Sequence, residues 1–191
     1  LPTLFFMKKH GKTNKYIYLP AYGEQLLVSA DEGNGDNFLG TDFSVENLTG
    51  EILSDHRYVR RNDREVEKVK YFVLDVYKAK KTSTKDRILR RHFIQQDNLY
   101  ITLTHHFDKH RRIARIQSHH DLKEVDHDML RANMILMENM KNQHQSLIKT
   151  SRRIFSHDYV PLEIFTAEWL YENYPHIEPT EEIDTDDPFD K

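Results

Sequence analysis

The segment from Val66 to Lys78, Val-Glu-Lys-Val-Lys-Tyr-Phe-Val-Leu-Asp-Val-Tyr-Lys, is apolar on both sides of an extended chain. Tyr71, Val73 and Tyr77 alternate with Phe72, Leu74 and Val76, so a strand here has two faces to bury. A chain built around such a strand needs a sheet with cover on both sides.

The rest of the first 120 residues supplies that sheet. Thr3–Met7, Lys15–Leu19 and Gln25–Ser29 read as short strands around Gly11 and Tyr22-Gly23. A polar turn over residues 31–37 precedes a possible strand at Phe38–Phe43, and Gly50 precedes another over residues 51–59. Ile88–Ile94, Leu99–Phe107 and Arg111–Ser118 follow, separated by Gln95-Gln96-Asp97-Asn98 and by Asp108-Lys109. Neighbours joined this tightly pair antiparallel, which gives a meander or a partly open barrel over about residues 1–120.

Beyond Asp126 the composition changes. Met, Leu, Ala, Glu, Lys and Gln dominate, and Leu130, Met134, Met137, Leu147 and Ile148 predict a helix capped by Asp126 or Asp128 and running to about Phe155. A second helix is expected from Pro161, with Leu162, Phe165, Trp169 and Leu170 on one side, ending before Pro175. The expected class is therefore α+β, with two C-terminal helices packed on the meander. Residues 1–176 form one domain on this reading, and residues 177–191 form an acidic, disordered tail.

Charge is segregated. The net value of −3 over 191 residues hides a stretch, residues 57–120, with 17 Lys/Arg against 7 Asp/Glu, or +10. Residues 178–191 carry 1 Lys against 7 Asp/Glu, or −6. A basic segment in an acidic chain points to a phosphate-backbone partner, DNA or RNA, with Arg90, Arg91, Arg111, Arg112 and Arg115 as the candidate contacts. Alternatively, acidic neighbours in space balance these cations on solvated faces. The chain has no cysteine. That excludes disulfides, thiolate metal sites and a Cys nucleophile. No apolar run reaches the ~18 residues of a membrane helix. The N-terminal stretch puts its lysines after its apolar residues, the reverse of a secretory signal, so a cytoplasmic protein is expected.

One segment offers chemistry. A strand running into His119-His120 is followed by a polar loop, then Asn133 before Met134–Met137, then His144. This order resembles the HNH (ββα-metal) nucleases over about residues 113–148. The resemblance implies His120 as general base, Asn133 as the residue aiming it, and His119 with His144 as ligands of a divalent ion (Mg or Zn). The Asn-to-His interval of ten residues is longer than the family's, and the loop lacks its usual Gly and Pro. His105, His106 and His110 form a second histidine group, but adjacent strand residues point to opposite faces. Asp75, inside the most apolar strand, is either satisfied by a partner or functional.

Three functions remain open from sequence. The first is a nucleic-acid-binding protein, as a metal-dependent nuclease of a phage, mobile-element or toxin-like system. The second is a non-catalytic nucleic-acid-binding module. The third is a protein-interaction or assembly protein, a homo-oligomer included, using its segregated charge.

Overall fold

The structure, a computed structural model, describes residues 3–9, 12–19, 24–27, 38–44, 47, 51–79, 86–126, 129–153 and 166–173. The chain divides into two compact units, residues 1–30 with 154–191, and residues 31–153. In the first unit β1 (Thr3–Lys9), β2 (Lys12–Leu19) and β3 (Glu24–Leu27) pair antiparallel in that order. A seven-residue helix, α1 (Ala167–Asn173), belongs to the same unit.

The second unit is a seven-stranded antiparallel sheet. Its strands are β4 (His56–Val66), β5 (Val69–Lys78), β6 (Arg90–Gln95), β7 (Ile101–Phe107), β8 (Ile113–Asp126), β9 (Met129–Asn139) and β10 (Gln145–Lys149). The order is β10-β9-β8-β7-β6-β5-β4, so each strand pairs with its neighbours in sequence and β10 and β4 end the sheet. Val66 closes β4, and Glu67 and Lys68 turn the chain with φ of 52° and 69° before β5 begins. Positive φ at both central residues is the geometry that matches strand twist in a two-residue hairpin.

The expected α+β class is corrected. The segment expected to be a helix from Asp126 forms β9 and β10 instead, and the meander runs on to Lys149. The register explains why. Met137 pairs with Gln117 and is fully buried, and Ala132 pairs with Leu122 at 4% exposure. Backbone pairing on both sides of β9 and burial of its side chains outweigh a helix propensity of a few tenths of a kcal/mol per residue. Asn139 and Asn142 then stop the strand: their side-chain oxygens accept from the backbone N–H of Lys141 and His144, two residues on. Of the helix expected from Pro161, the described part is α1. The polar turn at 31–37 and the acidic segment 177–191 lie outside the described residues.

The possible strand at Phe38–Phe43 is also corrected. Phe38–Gly40 is a 3-10 turn, closed by Thr41 N–H to Phe38 O at 2.9 Å, with Gly40 at φ 75°. The stretch 38–44 is a strap laid on one face of the sheet, with Phe43 1% exposed. Leu53–Asp55 is likewise a 3-10 turn, so β4 starts only at His56.

Among the described residues the fully buried apolar side chains are Phe43, Val73, Val76, Ala132 and Met137, while seven polar ones are buried beside them. An interior with this much polarity has to be internally bonded, and the bonds define the site.

Candidate functional site

Register fixes which residues share the strap face. Tyr58, Val76, Arg90, His106, Arg115 and Asn139 are successive partners across six strands. The next row is Leu74, His92, Thr104, Gln117, Met137 and Ser146. The strap is anchored to these rows at Asp42, 1% exposed, whose carboxylate accepts from Asn139 Nδ2 at 3.0 Å, Ser146 Oγ at 2.8 Å and His144 Nδ1. Arg115 donates to its backbone carbonyl at 2.8 Å. Burial opposes the Asp42 charge, but the three bonds outweigh it and hold the carboxyl below its usual range.

A second anchor lies at Glu51. It accepts from the Tyr58 hydroxyl at 2.9 Å, pairs with Arg90 at 2.7 Å and meets His92 Nε2 at 3.3 Å. Burial again works against the charge, yet the His92 bond and the Arg90 field bring its pKa to about 2. His92 Nδ1 continues to Thr104 Oγ1 at 2.9 Å. Beside it His106 Nε2 donates to Gln117 Oε1 at 3.2 Å, and Gln117 Nε2 donates to His119 Nε2 at 2.8 Å. These bonds assign the tautomers: the proton is on Nε2 of His106 and on Nδ1 of His119, where it is buried without a partner among the described residues. Burial, then the nearby Arg115 and Arg90, lowers the His106 pKa to about 3. Burial, then His120, lowers that of His119 to about 4. Both rings are neutral at pH 7.

Next to this network a cleft of about 860 Å³ opens at the β6–β7–β8 end of the sheet. The strap gives it Ser44, with Asn47 beyond it, the β9–β10 turn gives Met140 and Lys141, and His106, Arg90 and Arg115 lie along its sheet side. Its Lys/Arg residues are Arg87, Arg90, Lys109, Arg112, Arg115 and Lys141, against one carboxylate, Asp108. Asp108 is itself occupied, accepting from Arg112 Nη2 at 3.0 Å and from the backbone N–H of His110 and Arg112. Between the cations lie Leu89, Phe107, Ile113, Ala114 and Met140, with Ile113 38% and Met140 52% exposed. Apolar surface inside a ring of cations suits a molecule with an apolar body and an anionic group.

The residues expected to form a nuclease centre are not brought together as that reading requires. His119 and His120 are adjacent on β8 and point to opposite faces, His119 inward opposite Ile135 and His120 outward opposite Met134. Asn133 is on β9, donating to Asp121 Oδ2 and accepting from Arg153. His144 sits at the strap on Asp42. Among the described residues no group of three or more His, Asp or Glu could hold a metal ion. The five arginines are split: Arg90, Arg112 and Arg115 line the cleft, and Arg91 and Arg111 face outward. Sequence reasoning missed Asp42, Glu51, Phe107, Ile113 and Met140. The alternation of Arg90-Arg91 and Arg111-Arg112 was the available sign of two faces, whereas nothing local in sequence ties Asp42 to Ser146.

A family model described as "Uncharacterized protein" matches residues 3–172. No curated protein matches the chain. Three solved structures share the fold. A putative outer membrane lipoprotein-sorting protein domain from Vibrio parahaemolyticus aligns with a TM-score of 0.72 and 18% identity, over 84% of this chain and 66% of that one. A DUF1329 family protein from Desulfovibrio piger gives 0.62 and 16%, over 88% and 70%. A LolA superfamily protein from Nitrosomonas europaea gives 0.54 and 17%, over 82% and 68%. The chain thus spans about two thirds of the Vibrio domain's length.

These likenesses correct the nucleic-acid readings, nuclease and binding module alike, and with them the expected DNA or RNA partner. The HNH resemblance fails on the fold, because β9 and β10 occupy the place where that family needs a helix for its last histidine. The basic stretch fails for a second reason. Its cations are not gathered on one surface: Arg90, Arg112 and Arg115 line the cleft, whereas Arg57, Arg61, Arg91 and Arg111 lie on the opposite face.

Proposed function

We propose that this chain, which belongs to the family whose model matches residues 3–172, is a binding or carrier protein for an anionic lipid or the lipid-modified part of a lipoprotein. The observation that carries the reading is the cleft, where Phe107, Ile113 and Met140 lie among Arg112, Arg115 and Lys141. Support comes from the fold, shared with a domain described as lipoprotein-sorting. An acyl chain against the apolar residues gains about 25 cal/mol per Å² removed from water, and the cations select the charged end.

The test is displacement of an environment-sensitive fluorescent fatty acid by dodecyl phosphate and by dodecyl maltoside. The expected result is saturable displacement by both, stronger for the phosphate. Ile113→Asp with Met140→Asp weakens both by on the order of tenfold or more, from the lost apolar contact. Lys109→Glu with Lys141→Glu weakens the phosphate compound alone. Absence of saturable displacement, or variants indistinguishable from the parent, would sink the reading.

A further inference from the structure

The opposite face of the same sheet holds a second cleft, of about 420 Å³, lined by Arg57, Arg61, Arg91 and Arg111 around Asp75, Tyr77 and Asp86. Asp75 is 1% exposed. It accepts Nε of Arg61 at 2.7 Å, Nε of Arg91 at 2.6 Å and Nη2 of Arg91 at 3.1 Å. Arg61 Nη2 also donates to the Tyr77 hydroxyl at 3.0 Å. Arg57 is paired with Asp86 and lies 4.6 Å over the Tyr77 ring, and Arg111 Nη2 donates to the Asp86 carbonyl at 3.1 Å.

Satisfying Asp75 requires one bidentate arginine, and Arg91 supplies it. Arg61 and Arg111 are therefore in excess of what the buried carboxylate needs. Four guanidiniums against two carboxylates leave two positive charges in one concave place. The bonds that fix the four forks among the described residues use Nε and Nη2, and none uses Nη1. Forks held rigidly on one edge present the other without further ordering, which is how arginines recognise planar or tetrahedral oxyanions.

We propose that this outer cleft is an oxyanion site for a phosphate monoester or inorganic phosphate, whose charge of about −1.5 to −2 at neutral pH is matched by the surplus. Arg61, Arg91 and Arg111 are the contacting forks, Asp75 orients the first two, and Arg57 closes one side. The site is on the other face from the lipid cleft and stands independently of that reading.

The experiment is a titration of the whole chain with sodium phosphate at constant ionic strength, followed by the NMR signals of the arginine Nε–H groups. Sodium chloride is the control. Saturable shifts at Arg61 and Arg91 are expected, weakened at least fivefold in Arg111→Asn, which keeps a residue tolerant of the φ of 63° at that position. Arg61→Gln is the second variant. Lys109→Glu with Lys141→Glu, in the other cleft, leaves the shifts unchanged. Sedimentation with phosphatidylcholine vesicles, alone or containing phosphatidic acid, separates the two sources. Retention only by phosphatidic acid, kept in Lys109→Glu with Lys141→Glu and lost in Arg111→Asn, assigns the phosphate to a lipid headgroup, and phosphate titration without retention assigns it to a small soluble phosphate; both support the oxyanion site, whereas retention that depends on Lys109 and Lys141 belongs to the other cleft and counts as none. No saturable shift with phosphate and no retention, or equal binding by Arg111→Asn and Arg61→Gln, overturns it.

Discussion

Ser146 and Asp42, 104 residues apart, bond each other twice: the Ser146 hydroxyl donates to Asp42 Oδ2 at 2.8 Å and accepts from the Asp42 backbone N–H at 2.9 Å. One small side chain on the last strand thereby serves both the charge and the backbone of the strap. Ser146→Ala leaves a buried N–H without its acceptor and removes a donor from the carboxylate, so a loss of about 1–3 kcal/mol is expected. Asp42→Ala takes the acceptor from Asn139, Ser146 and the half-exposed His144 together and costs at least as much. Urea unfolding midpoints measure both. A Ser146→Ala variant within about 0.5 kcal/mol of the parent would show that the strap is not held there.

Stability should fall with acid, and earlier than carboxylates alone would cause. His106 and His119 have folded pKa values of about 3 and about 4 against an ordinary 6.5, so between those limits the unfolded chain takes up protons that the native one refuses. Their contribution is complete above pH 6.5 and declines as pH falls toward 4, at up to about 1.4 kcal/mol per pH unit for the buried His106 ring and less for the partly exposed His119 ring. Asp42, Glu51 and Asp75, all lowered, have the same sign at lower pH, below about 4. Unfolding free energies at pH 7.0, 6.0 and 5.0 give the slope, and His106→Gln should flatten it. A flat profile over that range in the parent would contradict the buried neutral histidines.

The β4–β5 turn is occupied by residues poorly suited to it. Glu67 and Lys68 both adopt positive φ, 52° and 69°, at a cost of about 1 kcal/mol each relative to residues that favour that region. Glu67→Asn with Lys68→Gly should therefore stabilise the protein by roughly 1–2 kcal/mol and raise its Tm by several degrees. An unchanged or lowered Tm would mean that the turn has another geometry in solution.

That turn also shows where sequence fell short. Val66 and Val69–Lys78 read as one strand because Glu-Lys carries none of the Gly, Asn or Asp that mark a two-residue hairpin. The β9 segment was misread for the opposite reason. Met134, Leu136, Met137 and Glu138 all favour helix, but both sides of Met129–Asn139 are partly apolar, as expected of a strand flanked by β8 and β10. Asn139 and Asn142 marked its end in plain view. Asp75 was legible as a buried carboxylate, and Arg91 is the bidentate partner that its position demands. The cleft was not legible. Its apolar residues come from separate places, Leu89 and Met140 from two connections and Phe107 and Ile113 from the facing ends of β7 and β8, and meet only through register.

The sheet order that ends at β10 and β4 has a mechanical meaning. In a closed barrel, strand number and stagger fix the girth, and widening it means breaking a ladder. With β10 and β4 unpaired at their outer edges among the described residues, the same seven strands can change curvature through twist alone, with every interstrand bond kept. Among the described residues the spacing across the strap face is held by the bonds of Asp42 and Glu51, and it can change without unzipping the sheet.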